Sequence, residues 1–98
     1  MKPLQPEETE LIGDWVLDDR GEVHADATCE RIKWLVANAL VKVGYSKASG
    51  AWNTLFRDLS DLRYWVMTYP KSHMHGGGPP SLRYVSEAIA RSEYDLYS

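Results

Sequence analysis

The stretch that most constrains the fold runs from Asp26 to Gly44. Asp26 can cap a helix, and Glu30 then lies near the positive end of its dipole. Cys29, Ile32, Leu35, Val36, Ala39, Leu40 and Val43 recur at three- and four-residue steps. This spacing predicts one buried face of an amphipathic helix of about four to five turns. Gly44 is expected to stop it. Trp34 and Val41 fall nearly opposite that face, so Trp34 needs a second packed element or another protein to cover it.

Around this helix the chain reads as strands. Trp15–Leu17 and Glu22–His24 form a candidate hairpin turned by Asp18-Asp19-Arg20-Gly21. Residues 51–57 and 62–69 are dense in aromatic and β-branched side chains, with a turn at Asp58-Leu59-Ser60-Asp61. In the second of these strands Leu62, Tyr64, Val66 and Thr68 face one side, and Arg63, Trp65, Met67 and Tyr69 the other. One side should pack on the helix; the side with Trp65 is either covered or offered to a partner. Pro70 ends the strand. Leu82–Val85 gives a last strand, and Ser86 caps a terminal helix through about Tyr94, with Val85 stapled against Ala90. The expected class is α+β: a small antiparallel sheet packed against one long helix, with a short C-terminal helix. Residues 1–9 read as a polar, flexible lead-in and 10–98 as a single domain.

Charge is unevenly spread. Residues 1–30 carry nine carboxylates against Lys2 and Arg20, a balance of −7. Residues 31–98 carry nine basic groups against five acidic ones, a balance of +4. An acidic segment repels nucleic acid and attracts basic partners. Arg57, Arg63 and Arg83 do alternate with aromatics, as in single-strand binders, but a sequence pI near 5.5 opposes that reading. No apolar run approaches the roughly 20 residues that span a bilayer. The start, MKPLQPEETE, lacks the basic and apolar regions of a secretory signal. A single cysteine, Cys29, allows no internal disulfide. The expected compartment is the reducing cytoplasm.

Few residues offer chemistry. His73 and His75 are spaced to share an ion in extended chain, but His24 and Cys29 are the only further ligands and lie far away in sequence. No metal or other cofactor is expected. Gly76-Gly77-Gly78-Pro79-Pro80 lacks the Gly-Lys-Ser/Thr ending of a phosphate loop. Its glycines allow positive φ and close backbone approach, and its prolines stiffen the exit. Cys29 falls on the buried helix face, where a thiol is inert. The expectation is a protein without catalysis.

Several pieces in order resemble one family. They are Leu11-Ile12-Gly13-Asp14-Trp15, Cys29-Glu30-Arg31-Ile32, Trp52-Asn53-Thr54-Leu55-Phe56-Arg57-Asp58, Arg63-Tyr64-Trp65, Thr68-Tyr69-Pro70 and Met74-His75-Gly76-Gly77-Gly78-Pro79-Pro80-Ser81-Leu82. Over residues 10–94 the chain is similar to the immunity protein 27 family of bacterial polymorphic toxin systems. The resemblance implies an α+β protein that binds and blocks a cognate toxin, often a nuclease, inside the producing cell. The partner-binding candidates are Asp14, Asp18, Asp19, Glu22 and Asp26 as an acidic surface, with Trp34 and Trp65 as aromatic anchors. His75, Gly76, Gly77, Gly78, Pro79 and Pro80 are expected to form a shaped structural loop. An adaptor or effector chaperone, or a small metal protein or enzyme using the His73–His75 loop, are the alternatives.

Overall fold

The computed structural model describes residues 2–46, 50–70 and 78–96. Among these the chain forms, in order, β1 (Glu10–Ile12), β2 (Trp15–Leu17), β3 (Val23–Ala25), α1 (Ala27–Asn38), β4 (Leu40–Ser46), β5 (Gly50–Asp58), β6 (Tyr64–Thr68), β7 (Ser81–Val85), α2 (Glu87–Glu93) and β8 (Tyr94–Leu96). Six strands make one antiparallel sheet in the order β1-β7-β6-β5-β4-β8. β2 and β3 pair only with each other, as a separate hairpin. The α+β expectation therefore holds, with a larger sheet than the three strands read from the sequence after the helix.

The long helix is shorter than its periodicity suggests. Asp26 caps it, its side chain accepting from the Cys29 amide at 2.8 Å. Its last turn closes with the Asn38 amide group bonded back to the Trp34 carbonyl, and Leu40–Ser46 then continues as β4. Leu40 joins the core on one face of the sheet and Val43 the core on the other. Three-residue spacing puts both on one side of a helix but on opposite sides of a strand. Gly44 is no stop: it sits buried inside β4, paired with Leu55 and Leu96.

Two cores result. Ile32 and Leu35 of α1 pack with Leu11, Leu40, Phe56, Trp65 and Leu82. On the other face Leu55, Tyr64 and Val66 pack with Val85, Ala90 and Tyr94. The α1 helix thus covers the Trp65 side of β6, and the α2 helix covers the Tyr64 side. Ser86 caps α2, accepting from the Ile89 amide, and Val85 meets Ala90 in the expected staple.

The N-terminal residues are not a lead-in apart from the domain. Leu4 is only 5% exposed and belongs to the α1 core. Arg31 reaches back to the carbonyls of Lys2 and Pro3 and grips both oxygens of Glu8, at 2.6 and 2.7 Å. Arg63 donates to the carbonyls of Gln5 and Glu8, while its guanidinium lies 4.9 Å from the Trp65 ring centroid. Two planar guanidinium forks thereby strap residues 2–8 across the sheet and helix.

Candidate functional site

Three of the pieces that suggested the family meet at one end of the sheet. The Gly13 amide donates to the Pro80 carbonyl at 3.0 Å. A Cβ at Gly13 would come within 2.5 Å of that oxygen and 2.6 Å of the Cys29 sulfur. Only glycine allows so close an approach. The Asp14 carbonyl accepts from the Asp26 amide at 3.0 Å and from the Cys29 thiol at 3.5 Å. Pro79 is fully buried, and Gly78 adopts φ 80°, as the glycine run anticipates. His73, Met74, His75, Gly76 and Gly77 lie outside the described residues.

The junction is held by main-chain hydrogen bonds and close packing. Burial pushes the Cys29 thiol up, and the adjacent Asp26 carboxylate adds to the shift. A buried, protonated thiol is a poor nucleophile. Burial also opposes ionisation of Asp26, but hydrogen bonds around it, that from the Cys29 amide foremost, hold the carboxyl below its usual range.

From the junction the chain continues as the β2–β3 hairpin, which is a two-stranded sheet separate from the main one. Its register pairs Trp15 with Ala25, Val16 with His24 and Leu17 with Val23. Asp18 builds the turn: one oxygen accepts from the amides of Arg20 (2.8 Å) and Glu22 (2.9 Å). Its other oxygen lies 2.6 Å from His24 Nε2. Gly21 supplies the required φ of 77°. The hydrogen bond from His24, followed by that from the Glu22 amide, holds the Asp18 carboxyl below its usual range. Asp18, Glu22 and His24 bring one ligand atom each within 4.8 Å of one another at the surface, and Asp18 already engages His24 and the turn amides.

The structure divides the sequence candidates. Asp19 and Glu22 are exposed at the hairpin tip. Asp18 and Asp26 are occupied as turn anchor and helix cap, and the Asp14 side chain accepts from the Trp15 amide. Trp34 is half-buried against the α1 core, so its cover comes from within the chain. Trp65 is 0% exposed, beneath α1 and flanked by Arg63, so it cannot reach a partner as an exposed anchor. Sequence reasoning missed the apolar side chains that the hairpin does expose: Val16, Leu17 and Val23. Their alternation reads as ordinary strand; that the hairpin stands outside the six-stranded sheet is a tertiary fact.

At the far end of β6 and β7 a shallow hollow of about 240 Å³ is lined by Leu62, Arg63, Tyr64, Tyr84, Val85 and Glu87. Arg63 is held by Asp61 at 2.6 Å, and Glu87 sits beside Arg91. No helix among the described residues is long and apolar enough to cross a membrane.

The acidic, largely exposed hairpin thus stands apart from a two-faced α+β sheet core. The chain belongs to the immunity protein 27 family, whose model matches residues 18–86. No curated protein and no solved structure matches it.

Proposed function

We propose that this chain is a cytoplasmic immunity protein that binds a basic, nucleic-acid-cleaving toxin and occludes its active or substrate-binding cleft without catalysis. Family membership supports the immunity role in general. The observation that carries the finer reading is the hairpin itself. Residues 14–26 hold Asp14, Asp18, Asp19, Glu22 and Asp26 against Arg20 alone, a balance of −4 before His24 is counted. A cleft that binds a phosphate backbone is basic, and an acidic hairpin is drawn to it over several ångströms, raising the association rate.

Within this reading the acidic residues divide their work. Asp19 and Glu22 carry the attraction; Asp14, Asp18 and Asp26 hold the hairpin in place. Co-expression tests it. Cells expressing a neighbouring toxic open reading frame should grow when this chain is present and die when it is absent. An adaptor or chaperone would leave the toxicity intact, and that outcome overturns the proposal.

A further inference from the structure

Leu17 and Val23 are a directly opposed cross-strand pair at the hairpin tip, 71% and 59% exposed. Side chains so placed share one face and touch. Trp15 and Ala25, half-buried, continue that face toward the α1 junction. The result is an apolar strip that begins on the scaffold and ends in solvent. Asp19 and Glu22 flank its outer end, one residue beyond Asp18 and one before Val23. Leu17 is more exposed than any other large hydrophobic side chain among the described residues. An isolated surface leucine needs no explanation, but an opposed pair on a preorganised hairpin has the layout of an interface anchor inside a polar rim.

We infer that Leu17 and Val23 are the apolar anchor of the docking surface, and that the occupant is a basic protein surface with an apolar wall beside its cationic groups. This deepens the proposed function and rests on it. The charge around the pair selects the occupant. A second copy of this chain would bring acidic tip against acidic tip, and nucleic acid or an anionic membrane would be repelled likewise. A basic partner satisfies both the carboxylate rim and the apolar centre. The division of labour follows: Asp19 and Glu22 govern the association rate and its salt dependence, and Leu17 with Val23 govern dissociation.

The test uses the full chain and a purified basic nuclease toxin domain from a neighbouring open reading frame. Leu17→Thr combined with Val23→Thr places β-branched side chains, which favour strands, at both positions, so the hairpin is retained. Removing this apolar contact should weaken binding at least tenfold, about 1.4 kcal/mol. The loss should fall on dissociation, with the salt dependence of association unchanged. The apolar replacement Leu17→Ile with Val23→Ile should restore wild-type residence time, and Leu59→Thr in the β5–β6 turn should leave binding unaltered. If wild type binds and the double threonine variant binds equally well, the anchor assignment is overturned while the toxin reading stands. If wild type does not bind the toxic domain, the toxin reading itself fails and this inference with it. A wild-type chain that sediments as a dimer, with a monomeric threonine variant, would make the hairpin a self-association face and overturn the assignment.

Discussion

The main-chain amide of Gly13 and the carbonyl of Pro80 are joined at 3.0 Å, with no room for a side chain between them. This contact ties the segment before the hairpin to the stiff exit of the glycine-rich run. The Cys29 sulfur fills the remaining space, so three sequence-distant pieces fix where the hairpin points. Gly13→Ala forces its new methyl into both neighbours. Overpacking of this kind costs about 1–3 kcal/mol, to be read as a lower denaturation midpoint at unchanged m-value.

The Glu8–Arg31 pair makes stability depend on pH in the acid range. The hydrogen bond from Arg31 holds the Glu8 carboxyl at about 2, against an ordinary value of 4.5. A depressed folded-state value contributes stability that is fully present above 4.5 and is lost as pH falls toward 2. Both side chains are roughly one-fifth exposed, so solvent screening leaves about 1 kcal/mol. Glu8→Gln should therefore be less stable than wild type near neutral pH, with the gap closing as pH falls from 4.5 toward 2. Urea titrations across that window measure it.

Asp26 and Asp19 carry the same charge and should fail differently. Asp26→Ala removes the α1 cap and should cost about 1 kcal/mol of stability. Asp19→Lys is at an exposed turn position and should change stability by no more than about 0.5 kcal/mol. Its effect should appear instead in association with the toxic domain: a slower rate at low salt, converging on wild type as salt rises. Glu22→Lys should behave as Asp19→Lys does. Asp18→Lys confounds charge with turn geometry, because it also removes the acceptor for the Arg20 and Glu22 amides.

Trp65 should behave as a core residue. Trp65→Ala is expected to cost about 3–5 kcal/mol of stability. Any loss of toxin binding should track the unfolded fraction and disappear under conditions where the variant is fully folded.

Local signals were the legible ones. Asp26 as a cap, Ser86 as a cap and the β2–β3 turn each depend on residues within a few positions, and each matches the structure. β4 was not legible as a strand because Leu40 and Val43 continue the helical spacing of Ile32 and Leu35. β1 and β8 are three residues long and carry no period of their own. The strap over residues 2–8 depends on Arg31 and Arg63, whose contacts reach far across the sequence. At the candidate site the acidic composition was readable, but the separation of free carboxylates from structural ones was not. Nor could alternation alone tell that Leu17 and Val23 face solvent while Trp65 is buried, since both readings obey the same two-residue period.

Hydrogen exchange of the full chain, alone and with the toxic domain of a neighbouring open reading frame, tests the central claim most directly. The account predicts that added protection concentrates on residues 15–25, with the main sheet unchanged. Protection that leaves this hairpin untouched and appears on another surface would contradict it.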